Sequence, residues 1–288
     1  MKFAIPLSIL PTNELLEITL QAEKCGFDSV ATSDHLIHPK NFSVPYPYTE
    51  DGKVRWEEGT DWPDPINLFS YLAGATKKIN FYTSVYILPA RNPLRAAKEI
   101  STLANFSNGR FSLGIGMGWM PEEFKVGEQA FRMRGKRADE MIEVMKKLWS
   151  GDMHSFNGEF YNYEPLEMLP KPNHKIPILV GGFSKPAIRR AAQHDGWVSD
   201  LHSLEELKTL IKKIKQQREE KNKTEEYKII AFSCWDAFSA DGFKKMQEIG
   251  VTTITTYPWM LYGVMNEAPL KDKLDGLKRF SDEIINNF

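Results

Sequence analysis

The stretch Arg110-Phe-Ser-Leu-Gly-Ile-Gly-Met-Gly-Trp119 is predicted to be a buried strand whose carboxyl end carries a glycine at every second position. Glycine has no side chain, so Gly114, Gly116 and Gly118 leave one side of this segment bare. A flat or bulky group can therefore lie against the backbone there. By itself such a glycine pattern is weak evidence. It gains weight because other predicted strands of the chain also end in chemically active residues.

On both sides of this strand, apolar runs of strand length alternate with amphipathic helical stretches. Strands are predicted at 2–9, 29–33, 79–88, 110–116, 176–180, 197–200, 228–234 and 251–257. Helices are predicted at 13–25, 65–76, 93–106, 134–149, 185–194, 204–221, 241–249 and 271–285. Eight strand–helix pairs predict a (β/α)8 TIM barrel that forms a single domain over residues 1–288. An open doubly wound sheet is the alternative, but no GxGxxG turn follows the first strand.

Two irregular segments interrupt this alternation. Residues 36–63 are rich in Pro, Tyr and Trp, and residues 151–175 are expected to form a hairpin-like excursion. Residues 122–124, after the glycine-rich strand, are expected to be a loop. Insertions of this kind vary without changing a fold, so we expect these two to shape a substrate pocket.

Composition excludes several classes of protein. The net charge of −1 over 288 residues argues against binding nucleic acid by counterion release. No apolar stretch approaches the roughly 20 residues of a membrane helix. Two cysteines are too few for a disulfide scaffold, which indicates a reducing cytoplasm. The six histidines show no metal-ligand spacing, so no metal is expected.

In a barrel of this class, the active site lies at the carboxyl ends of the strands. Ser33, Asp34 and His35 stand at the end of the second strand. A histidine there can act as a general acid or base near neutral pH, and an adjacent carboxylate can hold its orientation. A structural histidine bonded to the following loop is the other interpretation, and position alone does not separate the two.

A second candidate site is the turn Gly181-Gly182-Phe183-Ser184, which connects a strand to a helix. Its glycines leave backbone N–H groups free to bind an anion, and the helix N-terminus favours negative charge. Lys185, Arg189 and Arg190 add positive charge nearby. The alternative is an ordinary turn in which Ser184 caps the helix.

Asp200, Trp235 and the run Tyr257-Pro258-Trp259 are further candidates, because each follows a predicted strand. Several of the residues at these strand ends are aromatic. A slot lined by tryptophan and glycine backbone suits a planar heterocycle better than a sugar or a metal.

Five motifs of the chain belong together: Ser33-Asp34-His35, Thr83-Ser84-Val85 with Arg91-Asn92-Pro93, residues 109–119 with Glu123-Phe124, Gly181–Ser184 with Ala187, and Asp195-Gly196-Trp197. In combination they resemble the bacterial luciferase-like oxidoreductases over roughly residues 3–257. The Ser-Asp-His run is more similar to the branch that uses the deazaflavin coenzyme F-420 than to the branch that uses FMN and oxygen.

The resemblance implies a tricyclic redox ring at the carboxyl ends of the strands. His35 and Asp34 would be catalytic, with His35 as proton donor or stabiliser during hydride transfer. The third strand would contain a bulge with a non-prolyl cis peptide at Ser84–Val85. The implied phosphate site is the turn at 181–184, where Lys185 and Arg189 would meet the acidic tail of the deazaflavin. The implied cofactor-binding residues are Asp34, Ser84, Val85, Gly116, Gly118, Trp119, Gly181, Gly182, Phe183 and Ser184.

The implied activity is hydride transfer between reduced coenzyme F-420 and an unidentified small organic substrate. The alternatives are an FMNH2-dependent two-component monooxygenase, supplied by a partner flavin reductase and using O2, and a non-catalytic relative. The glucose-6-phosphate dehydrogenases of this family have a catalytic Glu where Trp119 stands here. That difference favours a flatter, more apolar substrate under the lid at 44–62. Relatives of this kind often form homodimers through barrel helices, whereas the sequence itself leaves open whether this chain is a monomer or a homodimer.

Overall fold

In the computed structural model, which describes all residues from Met1 to Phe288, the chain has eleven strands, and eight of them close into a parallel barrel. The strands are β1 (Lys2–Pro6), β2 (Ser29–Thr32), β3 (Asn80–Thr83), β4 (Tyr86–Ile87), β5 (Phe111–Gly116), β6 (His154–Asn157), β7 (Asn162–Leu166), β8 (Ile178–Gly181), β9 (Gly196–Val198), β10 (Lys228–Phe232) and β11 (Thr253–Thr255). The helices are α1 (Leu15–Lys24), α2 (Pro65–Ala75), α3 (Pro93–Phe106), α4 (Pro121–Val126), α5 (Arg134–Leu148), α6 (Lys185–Ala191), α7 (Leu204–Glu219), α8 (Ala240–Glu248) and α9 (Leu270–Glu283).

The order around the barrel is β1, β2, β3, β5, β8, β9, β10 and β11, and β11 pairs with β1 to close it. This confirms the predicted (β/α)8 barrel, and the open-sheet alternative is wrong. Strands β6 and β7 form an antiparallel hairpin, as expected for residues 151–175. No helix is long and apolar enough to span a bilayer.

The third barrel strand, predicted at 79–88, is interrupted as the resemblance implied: β3 and β4 both pair with β5, and between them the Ser84–Val85 peptide bond is cis. One local prediction is wrong. The loop expected at residues 122–124 is the short helix α4. It begins with Pro121, whose fixed φ suits the first helical position, and it buries Phe124 and Glu123.

Helix caps fix where the helices around this break begin. Asp64 Oδ1 accepts hydrogen bonds from the backbone N–H groups of the second and third residues of α2, at 3.0 and 2.9 Å. Asn92 does the same for α3, at 2.9 and 3.2 Å. In both helices a proline follows the cap, which strengthens the start signal.

The core has two parts. Most buried apolar residues lie between the barrel and its helices. A smaller cluster fills the inside of the barrel and consists of Ala4, Ala31, Tyr82, Leu179, Val198 and Ile230. The barrel is therefore packed through its centre, and a ligand site has to lie at one of its ends.

The bare side of the glycine-rich strand is filled by the chain itself. A Cβ atom on Gly114 would lie 1.8 Å from the carbonyl oxygen of Thr83. One on Gly116 or Gly181 would lie 2.2 or 2.4 Å from a methyl group of Val85. The glycines of β5 and β8 thus make room for the interrupted third strand. The sequence indicated that a flat or bulky group could lie there, and the group in contact is the Val85 side chain.

We expect Gly114→Ala to lower the free energy of unfolding by about 3 kcal/mol, because the new methyl group meets rigid backbone of a neighbouring strand. Gly74→Ala is the matched control: Gly74 lies in α2 with nothing within 4 Å of an added Cβ. There alanine should stabilise by up to about 1 kcal/mol through helix propensity. Urea denaturation measures both variants, and equal midpoints would contradict the packing argument.

Candidate functional site

The carboxyl end of β2 is tied to the interrupted third strand by serine hydroxyls. Ser33 Oγ donates a hydrogen bond to the carbonyl oxygen of Ser84 at 2.9 Å. Ser8 Oγ donates to Ser33 Oγ at 3.0 Å and accepts from the Ser33 backbone N–H at 2.7 Å. Residues from the first three barrel strands therefore meet at this point.

The Asp34 carboxylate is buried and fully engaged in bracing the strand break. Its Oδ2 accepts a hydrogen bond from the backbone N–H of Ile87 at 2.8 Å, and Arg91 lies 2.7 and 2.8 Å from its two oxygens. Burial raises the pKa of the Asp34 carboxyl, while Arg91 and the Ile87 N–H act in the opposite direction. The adjacency of the two residues in the sequence suggested that Asp34 holds the ring of His35, but in the structure it does not.

A different carboxylate contacts that ring. His35 Nδ1 lies 3.0 Å from Oε1 of Glu123, and the same oxygen accepts a hydrogen bond from the Leu36 backbone N–H at 2.8 Å. The Glu123 side chain is 1% exposed and that of His35 is 9% exposed. The pair is therefore a buried acid–base contact at the mouth of the barrel.

Aromatic residues of the 36–63 insertion cover this contact. The rings of Trp56 and Trp62 lie 4.7 and 4.8 Å from the His35 ring, measured between centroids. Tyr46 and Phe42 pack against Trp119 at 5.1 and 5.6 Å. We call Phe42, Tyr46, Trp56, Trp62 and Trp119 the aromatic cover. It encloses His35 in an apolar environment.

The insertion is also tethered to the far side of the mouth. Arg55 donates a hydrogen bond to Asp200, which follows β9, at 2.8 Å. Tyr48 of the insertion packs edge-on against Phe183, after β8, at 5.5 Å. Asp200 and Phe183, both selected from the sequence, thus contact the insertion.

Several buried polar atoms around the mouth have no hydrogen-bond partner. They include Trp62 Nε1, Glu123 Oε2 and His202 Nε2. Burial lowers the pKa of His202, so its ring is neutral at pH 7. Unpaired buried polar atoms are rare in folded proteins and cost about 1–3 kcal/mol each. Their concentration here indicates a place where a ligand supplies the missing partners.

The glycine turn after β8 shows the capping role that was the alternative interpretation. Ser184 Oγ accepts a hydrogen bond from the Ala187 backbone N–H at 3.3 Å and so caps α6. Gly182 has φ +96°, which favours glycine. Arg190 is buried in contact with Asp139, so it is not available to a ligand at the turn. Lys185 and Arg189 are exposed.

The remaining residues selected from the sequence do not all lie at the mouth of the barrel. Gly118 has φ +71° and turns the chain from β5 toward α4. Trp259 is fully buried, with its Nε1 donating to Asn266, and belongs to the core rather than to the site. Trp235 is exposed after β10. Glu123 was the residue that sequence reasoning undervalued, since nothing in its own segment shows that it meets His35.

Comparison with known proteins gives four findings. Residues 5–235 match the model of the luciferase-like monooxygenase family. An uncharacterized protein of Mycobacterium tuberculosis is 34% identical over 286 residues, 99% of each chain. An F-420-dependent glucose-6-phosphate dehydrogenase of Gordonia bronchialis is 31% identical over 188 residues, 64% of this chain and 51% of that protein. The crystal structure of monooxygenase RslO1 from Streptomyces bottropensis has the same fold, with a TM-score of 0.76 and 19% identity over 100% of this chain and 99% of that one.

Arg91→Leu should lower the free energy of unfolding at pH 7.5 by about 3–5 kcal/mol, because it leaves the Asp34 carboxylate buried without its cation. Without Arg91, burial and the like charge of Glu123 raise the pKa of Asp34 further, opposed only by the Ile87 N–H. The native state of the variant then binds a proton that the unfolded state releases, so its stability falls as the pH rises. The deficit relative to wild type should therefore shrink as the pH is lowered from 7.5 to 5.5.

Urea denaturation of both proteins at the two pH values measures this. Arg95→Leu is the control, since Arg95 pairs with Glu99 on the exposed surface of α3 and its loss should change stability little. A deficit that stays constant over this pH range would contradict the assignment of Asp34 and Arg91 as a buried ion pair.

Proposed function

Because the chain belongs to the luciferase-like monooxygenase family, we propose that it transfers hydride between coenzyme F-420 and a small, flat, apolar organic substrate. The observation that carries this proposal is the buried contact of His35 with Glu123, beside the interrupted third strand and beneath the aromatic cover. The sequence similarity to an F-420-dependent dehydrogenase supports the choice of cofactor.

The groups at the mouth fit a tricyclic redox cofactor. The break at Ser84 and Val85 would back the ring. Gly116 and Gly181 would act through the Val85 side chain that they accommodate. The turn at 181–184, with Lys185, would hold the phosphate. The unpaired Nε1 of Trp62 is a donor that suits an oxygen of the cofactor or substrate.

When bound, coenzyme F-420 supplies or accepts a hydride without oxygen. The role of His35 is then to move the accompanying proton. Reduction of a carbonyl or imine needs one proton on the heteroatom for each hydride on carbon. His35 Nδ1 is occupied by Glu123, so Nε2 is the ring nitrogen that exchanges a proton with the substrate.

The aromatic cover would exclude water and select the substrate. Its rings offer broad apolar faces and few hydrogen-bonding groups, which suits a flat unsaturated molecule. Trp119 contributes to this cover through Tyr46 and Phe42. The ion pair of Arg55 with Asp200 would keep the insertion over the mouth.

The competing proposal is an FMNH2-dependent monooxygenase that uses O2 and a partner flavin reductase. The description of the matching family, luciferase-like monooxygenase, favours it. His35 suits this chemistry too. The aromatic cover also suits it, because a site that excludes water is required in both cases.

Anaerobic titration of the protein with oxidised coenzyme F-420 and with FMN, followed by fluorescence, separates the two proposals. We expect F-420 to bind at least about tenfold more tightly, a difference of about 1.4 kcal/mol. Tighter binding of FMN, together with oxygen consumption when FMNH2 is supplied, would overturn the F-420 assignment.

His35→Asn should lower turnover by about 10²–10⁴-fold and leave F-420 binding largely unchanged, because the variant loses a proton donor rather than a cofactor contact. The absorbance of reduced F-420 follows turnover with a panel of flat unsaturated carbonyl and imine compounds. His38→Asn, an exposed histidine of the same insertion, is the matched control. Equal turnover in wild type and His35→Asn would give His35 a structural role, and absence of turnover in both would support a non-catalytic relative.

A further inference from the structure

Glu123 is an unusual residue to find buried in the first turn of a six-residue helix. Oε1 binds two groups, His35 Nδ1 and the Leu36 N–H, whereas Oε2 is buried with no partner. A carboxylate in such surroundings is costly unless a cation or donors compensate it. The His35 ring is the only titratable group within hydrogen-bond distance of it.

The charges around this contact show what the Glu123 carboxylate compensates. Asp34 and Arg91 form a closed ion pair nearby, and Glu123 acts on Asp34 through space as a like charge. The four groups carry a net charge of −1 while His35 is neutral. They carry no net charge once His35 takes up a proton. Glu123 therefore compensates the positive charge that the ring acquires during proton transfer.

The contact also determines which ring nitrogen carries the hydrogen. An ionised carboxylate only accepts hydrogen bonds, so a neutral His35 must carry its hydrogen on Nδ1. Nε2 then holds the lone pair on the side away from Glu123. Free histidine prefers the opposite tautomer, so this arrangement needs a partner to enforce it.

A cavity of about 260 Å³ lies beside this group, and Glu123, Arg91 and Asp64 contribute to its wall. Asn92 and Arg95 lead from it toward the surface on the side of α3. Charged and apolar side chains both line it, and no residue of the aromatic cover contributes to its wall.

We propose that Glu123 is a positioning residue that holds His35 in the tautomer with hydrogen on Nδ1 and balances its charge when Nε2 is protonated. This inference deepens the proposed function and rests on it for the use to which the proton is put. The tautomer itself is a property of the protein without cofactor or substrate.

Nuclear magnetic resonance of protein labelled with ¹⁵N-histidine tests the proposal directly, because two-bond couplings show which ring nitrogen carries hydrogen. The His35 signals are identified by their loss in His35→Asn. At pH 8 we expect the Nδ1–H tautomer in wild type and the Nε2–H tautomer in Glu123→Leu. Glu123→Gln keeps an acceptor oxygen without the charge, so it should retain the wild-type tautomer. If Glu123→Leu does not fold, the wild-type tautomer still tests the positioning role and Glu123→Gln tests the charge-balancing role through kcat.

Glu122→Gln is the matched control, because Glu122 is the neighbour on α4 and accepts a hydrogen bond from the Ser43 N–H instead. Its His35 signals should equal those of wild type. With F-420 and a substrate, Glu123→Gln should lower kcat on the order of 10²-fold with little change in KM. An Nε2–H tautomer in wild type, or an unchanged tautomer in Glu123→Leu, would overturn the proposal. Failure of F-420 to bind with the tautomers as expected would overturn only the proposed function.

Discussion

The break in the third barrel strand is the constraint on which the mouth of the barrel depends. Strands β3 and β4 both pair with β5, and Val85 projects from the break between β5 and β8. Side chains at Gly116 or Gly181 would occupy the space of Val85, and one at Gly114 would meet Thr83. Glycines on two separate strands are therefore explained by one irregularity on a third. The backbone irregularity places Ser84 where Ser33 binds it.

Two carboxylates near the end of β2, those of Asp34 and Glu123, have different roles. Asp34 is committed to structure, since it joins Ile87 beyond the break to the guanidinium of Arg91. Because the Asp34 carboxylate is engaged in these contacts, it does not bind the ring of the adjacent His35. Glu123 takes that place from a helix that follows β5. A closed ion pair and an acid–base contact thus stand side by side at the mouth of the barrel.

Much of the fold could be predicted because strands buried on both faces appear as short apolar runs, while each barrel helix shows one apolar face. Pro65 and Pro93, each behind a capping residue, mark helix starts that the structure reproduces. Helix α4 was missed because six residues are too few to show helical period. The contact of His35 with Glu123 was missed because it joins positions 88 residues apart, and only the closed barrel brings them together. The packing of the Val85 side chain against these glycines could not be predicted either, because Val85 belongs to a neighbouring strand.

The aromatic cover limits what the site can recognise. Around His35 it presents the faces and edges of Trp56 and Trp62. Such walls stabilise a flat apolar ring through its area, but they leave most hydroxyl groups of a sugar without partners, which is costly in a site closed to water. The polar groups left unpaired at the mouth are few: Trp62 Nε1, Glu123 Oε2 and His202 Nε2. The substrate class that we propose, with one polar function at the reacting carbon and an otherwise apolar frame, would satisfy both conditions, whereas a sugar phosphate would satisfy neither.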